Sequence, residues 1–198
     1  NIGRGGTPDL TFKYILEKAG IEYAESDTVI EDKVALTYVS AGSELVPLLK
    51  KGDAKFGILG EPAATMACLK ADCKTLFDMQ QLWNEASGTT GGYPQASLVI
   101  RKSLIDSNPN FVKELIAKLT ESADWIGTNA DKIGGIMTEN GSVLGMSYTQ
   151  PIIERCNIRV EKASDAKADI NTYLNVLYTF NSNTVGGAMP DDNFYYAG

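Results

Sequence analysis

The stretch NIGRGGTPDLTFKYILEKAGI, residues 1–21, holds the end of a strand, a glycine turn and a whole helix in succession. Asn1–Gly3 reads as the tail of the strand. Thr7, Pro8 and Asp9 supply an N-cap, a proline at the first helical position and an acid against the positive helix end. Phe12, Ile15, Leu16 and Ala19 are spaced i, i+3, i+4, i+7 and share one apolar face. Gly20 is a natural residue just past the helix end. Between strand and helix lies Gly3-Arg4-Gly5-Gly6-Thr7. Its glycines let backbone approach a ligand closely, and the helix start offers unpaired N–H groups with a partial positive charge. Such a turn suits a carboxylate, sulfonate, phosphate or polar ring substituent. It also suits a plain tight turn closed by an N-cap. It lacks the GK[ST] ending of a P-loop and is not a true GxGxxG.

Outward from this unit the same rhythm repeats. Lys33–Val39 is rich in strand formers and apolar on both faces, as a covered parallel strand is. Ser43–Lys51 reads as a short helix capped by Ser43 and closed by Gly52. Ala54–Leu59 is a further strand, a helix opens at Glu61-Pro62 and runs to about Lys70, and Cys73–Met79 is another strand. This alternation predicts an α/β fold with a mainly parallel sheet and right-handed crossovers. Ser40-Ala41-Gly42-Ser43 and Gly60-Glu61-Pro62 then occupy the same kind of place as the first turn. All three fall along the edge where ligands bind in open parallel sheets. The candidate ligand-facing residues are Gly5, Gly6, Thr7, Ser40, Ser43, Gly60 and Glu61. Glu61 alone also reads as an acid at a helix N-terminus.

Ser87–Gly92 is a flexible break, and a domain boundary is expected at about residues 88–95. Beyond it Gln95–Arg101 is a strand, after which the texture is helical. Pro109 to about Asn129 carries the stripe Val112, Leu115, Ile116, Leu119, Ala123 and Ile126. Asp131–Asn140, Tyr148–Cys156 and Ser164–Asn181 follow. The last carries Ile170, Tyr173, Leu174, Leu177 and Tyr178 on one side. One strand is too little sheet to cover these stripes, so they are expected to pack on something outside this chain or on another copy of it. Trp83, Tyr93 and Trp125 are candidates for stacking a flat ligand, Trp125 reading as core, and Tyr93 joins the candidate ligand-binding set. Asp191-Asp192 reads as a solvated capping pair.

Composition narrows the function. The 198 residues carry a net charge of −7 and 43% apolar residues, with a pI near 4.7 and a mean hydropathy of −0.13. A phosphate-tracking nucleic-acid surface or an anionic-membrane surface is not expected. Apolar runs such as Leu45–Leu49 are far shorter than the ~20 residues of a spanning helix. Histidine is absent, which removes Ser-His-Asp and Cys-His catalysis and imidazole metal ligation. No nucleophile–base pair or paired carboxylate stands out, so neither catalysis, a metal nor a cofactor is expected. Cys68 and Cys73 have no second pair at zinc spacing; they are a short disulfide or reduced thiols, with Cys156 left over. The start at Asn1, without signal peptide or initiator methionine, suggests a processed or trimmed product.

The segments GRGGTPDLTFKYILEKAGI, YVSAGSELVPLLKKGDAKFGILGEPAATMA and GYPQASLVIRKSLIDSNPNFVKELIAKL together resemble the solute-binding proteins of ABC importers. The group they resemble is the nitrate/sulfonate/taurine type, which includes binders of thiamine-precursor pyrimidines. The resemblance implies a periplasmic-binding-protein-like fold of two lobes. Residues 1–92 would form lobe two, and 93–198 the second crossover and the helix-rich returning half of lobe one. The opening half of lobe one would be missing. The resemblance implies capture of a small anionic or polar organic solute and delivery to a membrane permease, in the periplasm or lipid-anchored at the outer face of the membrane. It matches Gly5, Gly6 and Thr7 to a ligand-facing turn, and Gly60 and Glu61 less firmly. The alternatives are an effector-sensing module of a regulator, or a thiamine-pyrimidine synthesis enzyme on the same scaffold, which would need histidine.

Overall fold

The computed structural model describes residues 3–142 and 148–197, so the expected strand end at Asn1-Ile2 lies outside the described residues. The chain divides into two compact units. One is Asn1–Gln95 with Ala166–Tyr195; the other is Ala96–Asp165 with Tyr196–Gly198.

In the first unit, α1 (Thr7–Lys18) ends at Ala19, with Gly20 in the left-handed region as expected. Thr7 is the first helical residue rather than the cap. Gly6 holds the extended cap conformation (φ −84°, ψ 172°), which glycine adopts at little cost. The strands β1 (Tyr23–Glu25) and β2 (Val34–Leu36) pair in parallel, Tyr23 with Val34 and Glu25 with Leu36. Then follow α2 (Gly42–Lys51), α3 (Ala63–Ala71) and α4 (Met79–Ser87). Ala41 caps α2, not Ser43; Glu44 instead reaches back and accepts the Ser40 N–H at 2.9 Å. The helix α4 was not expected. Its start is set by Asp78, whose carboxylate accepts the Gln80 N–H, and its end by left-handed Gly88.

The second unit holds α5 (Lys102–Ser107), α6 (Pro109–Thr128), α7 (Ala130–Glu139) and α8 (Gln150–Cys156). Most of the expected α6 stripe points inward, with Val112 and Ala123 buried and Leu115, Ile116 and Ile126 half-buried, while Leu119 is exposed. It is covered by α8, whose Ile152 and Ile153 are buried. Gln150 Nε2 donates to the Gly127 carbonyl at 2.8 Å. Trp125 is not core: it is exposed, with the Lys132 ammonium 5.8 Å from its ring.

Two expectations need correction. The stripe on α9 (Lys167–Phe180) does not wait for an external partner. α9 packs on α1, and Leu10, Trp83, Tyr93, Tyr173, Val176 and Leu177 close one buried core. A helix stripe records that a face is covered, not by what. Secondly, the strands expected at Ala54–Leu59, Cys73–Met79 and Gln95–Arg101 join no ladder among the described residues, and Met79 opens α4. Phe56, Leu76 and Phe77 in the first unit, and Leu98 and Val99 in the second, are exposed in consequence. Unpaired extended backbone with apolar side chains is a template for another chain. The purified 198-residue chain is therefore expected to self-associate in light scattering at micromolar concentration. A monodisperse monomer would contradict this.

Candidate functional site

The turn before α1 is built by internal hydrogen bonds. Gly3 and Gly5 both lie in the left-handed region, at φ 69° and 70°. The Gly6 N–H donates to the Gly3 carbonyl at 3.0 Å, and the Gly3 N–H to the Val39 carbonyl at 3.4 Å. That last bond sets the turn beside the chain entering Ser40. The Gly5 N–H donates to Asp9 Oδ2 at 2.8 Å. Asp9 is fully buried and also accepts from Lys13 Nζ at 3.0 Å and Tyr38 Oη at 2.9 Å. Lys13 pairs in turn with Glu25 at 2.9 Å, and the exposed Arg4 with Glu25 at 3.2 Å. The Arg4 guanidinium lies 4.7 Å from the Tyr38 ring centre. Asp9 and Glu25 are thus balanced by Lys13 and Arg4, and this network holds the turn's shape. Sequence reading took Asp9 only as an acid at a helix start. Its partner Tyr38 is distant in the chain, so spacing gave no signal of it.

The network has a pH signature. The Lys13 ammonium holds Glu25 below the usual carboxylate range, with Arg4 and Tyr38 assisting and burial opposing. Burial pulls Lys13 down, but hydrogen bonds to Glu25, Tyr38 and Asp9 outweigh it and raise its pKa above the ordinary value. A depressed carboxylate adds stability above its unfolded pKa and loses it as pH falls through the folded value. A raised lysine adds stability below its unfolded pKa and loses it as pH rises through the folded value. The melting temperature is expected to be flat between the carboxylate and lysine ranges, about 4.3 and about 10.4, and to fall beyond each. Lys13→Met should lower the plateau and flatten both flanks. Flanks identical to the wild type in a calorimetric pH series would refute this assignment.

The remaining candidates are distributed unevenly. Gly6 is half-buried, while Gly5 and Thr7 are exposed. The Thr7 amide, first in α1, has no intrahelical acceptor. The Tyr173 hydroxyl of α9 lies 3.2 Å from Thr11 Oγ1 of α1. Ser40, before α2, and Ser43, in its first turn, are exposed, and the bond from Gly3 to Val39 sets Ser40 beside the first turn. Gly60 and Glu61 precede α3, which packs on α2. The Glu61 carboxylate accepts the Thr65 N–H at 3.1 Å and the Thr65 hydroxyl at 3.0 Å, the role of an acid at a helix start.

Tyr93 is a core residue. Its ring stacks on Tyr173 at 5.2 Å and meets the edge of Trp83 at 5.7 Å. Its N–H donates to Gln80 Oε1 at 2.8 Å, and its carbonyl accepts from Gln80 Nε2 at 3.1 Å. Burial pushes its phenol up to about 12, so the ring stays neutral. The neighbouring Gly92 has φ 75°, and a Cβ there would lie 2.3 Å from Gln80 Oε1. Trp83 is fully buried in the same cluster, which makes it a structural ring rather than a ligand stack. Asp191 accepts the Asn193 N–H, and Asp192 pairs with Lys167, in keeping with a capping pair. No group of three or more metal-ligating side chains occurs among the described residues.

Helix-starting turns place these residues in an α/β unit whose fold is of the periplasmic-binding-protein type. The crystal structure of an ABC transporter from Parabacteroides distasonis superposes on this chain with a TM-score of 0.80 at 22% identity. The match covers 98% of this chain and 64% of that one, so this chain spans less than two thirds of the solved protein's length. The chain belongs to the NMT1-like family, which matches residues 2–134. Comparison with curated proteins yields no match.

Proposed function

We propose that this chain is the solute-binding component of an ABC importer. It captures a small anionic or polar organic solute outside the cytoplasm and passes it to a membrane permease, without chemical change. The observation that carries this reading is the turn Gly3–Thr7. It is pinned by buried Asp9, it opens α1 with the Thr7 amide uncommitted within the helix, and Ser40 stands beside it. A preformed helix start of this kind receives anionic groups without reorganisation. Family membership and the fold shared with an ABC transporter protein support the reading. In it, Gly5, Gly6 and Thr7 are the first ligand contacts, with Ser40 and Ser43 at the rim. Glu61 shapes the start of α3, and Gly60 precedes it. In this reading the unit of residues 1–95 and 166–195 is the lobe that carries these turns, and residues 96–165 belong to the other lobe.

Capture of a ligand stabilises the bound form, which exposes it to a thermal test. A panel of nitrate, taurine, methanesulfonate and an aminopyrimidine alcohol is expected to contain at least one solute that raises the melting temperature in a saturable way. Uniform absence of a shift across the panel would count against the proposal.

A further inference from the structure

Cys68 and Cys73 stand on either side of the end of α3. Asp72, the residue that ends the helix, is left-handed (φ 51°, ψ 44°), and this turns the chain back on the helix it leaves. Cys68 lies in the last helical turn and Cys73 is the first residue after the reversal. At helix ends closed by a left-handed residue, side chains at these two positions meet. Here the chain after the reversal folds back over Cys68, whose Sγ is 3.9 Å from Thr75 Oγ1. Both cysteines are half-buried and neither is bridged, so a small reagent can reach them. Burial first, and then the Cys68 thiol, push the Cys73 thiol above its ordinary value, as expected for two thiols sharing one site.

We propose that Cys68 and Cys73 form a paired thiol site that closes into a disulfide by exchange with a small-molecule disulfide. The bond would fasten the extended segment 73–77 to the end of α3. In the exchange, one thiol loses its proton and attacks a sulfur of the reagent, releasing one thiolate. The second thiol loses its proton and attacks the protein sulfur of the mixed disulfide, releasing the other thiolate. The protein dithiol is oxidised by two electrons, the reagent is reduced to two thiols, and these take up the two protons. This inference stands apart from the solute-binding reading.

The test is to treat the folded 198-residue chain with oxidised glutathione, quench by alkylation and digest with trypsin. Lys70 and Lys74 place the two cysteines on different tryptic peptides. Those peptides are expected to emerge covalently joined. Closure should be several-fold faster in the folded chain than in denaturing urea, because folded geometry rather than short chain separation brings the sulfurs together. Cys156→Ser should give the same joined peptides, and Cys68→Ser should leave Cys73 as a glutathione adduct. Recovery of either cysteine singly alkylated or singly glutathionylated in the unsubstituted chain would overturn the inference. So would linkage to Cys156 or between chains, or closure in urea as fast as in the folded state.

Discussion

Replacing Trp83 with alanine is expected to destabilise the first unit by about 3–5 kcal/mol, the cost of removing a fully buried aromatic ring. Trp83 has no exposed surface. Tyr14, Tyr93 and Tyr173 surround it at 5.2, 5.7 and 5.2 Å between ring centres. It ties α4 to α1, to the segment after Gly92 and to α9, so the cavity would open where four chain segments meet. Relaxation into it is hindered because Gln80 clamps the Tyr93 backbone from the same helix. Trp83→Phe should cost far less. The indole Nε1 is buried without a hydrogen-bond partner among the described residues, and an unpaired donor costs ~1–3 kcal/mol, which phenylalanine avoids. Urea denaturation followed by far-UV dichroism measures both. Equal losses for the two variants, or an alanine loss near zero, would contradict this account of the core.

Gly6→Val is expected to weaken solute capture about tenfold or more, at a smaller cost in melting temperature. The Gly6 backbone is extended and open to any residue, so the substitution introduces no dihedral strain. A Cβ there would stand 3.1 Å from the Gly3 carbonyl oxygen and 4.0 Å from Pro8 Cδ. The branched methyl groups of valine add to that crowding. The turn must then open, moving the Gly3–Thr7 backbone away from the shape that Asp9 holds. Loss of one well-placed charge-assisted hydrogen bond is about 1.5–3 kcal/mol, a tenfold or greater weakening of affinity. Gly5→Ala is a contrasting control. It meets nothing within 4 Å but sits at φ 70°, so its cost of ~1–2 kcal/mol should appear in stability.

Much of this architecture could be read locally. The run Thr7-Pro8-Asp9 to Gly20 and the start at Pro109 use capping chemistry that needs no distant partner, and α1 and α6 occur where it put them. The three segments after β2 read as strands, yet they join no ladder among the described residues. Strand propensity reports fit to a pleated, half-buried surface, and the neighbour that supplies the surface is non-local. The helix α4 was hidden because its apolar residues Met79, Leu82, Trp83 and Ala86 are few and follow directly on a strand-like run. Only Asp78 and Gly88 mark its ends. At the candidate site the glycine turn was visible, but the buried carboxylate that fixes it was not. Asp9 acquires that role through Tyr38, which lies 29 residues further along the chain. Tyr93 shows the opposite failure. An aromatic beside a glycine break resembles a cleft wall, and only the stack on Tyr173 reveals it as core.

The account rests on the Gly3–Thr7 turn as the place of solute capture, and isothermal titration calorimetry tests it most directly. The wild-type and Gly6→Val chains would each be titrated with the solute that gives the largest thermal shift among nitrate, taurine, methanesulfonate and the aminopyrimidine alcohol. The prediction is a saturable single-site heat in the wild type and an affinity at least about tenfold weaker in a variant that still melts cooperatively. Equal affinities for the two chains, or no heat from any of these solutes with the wild type, would contradict it.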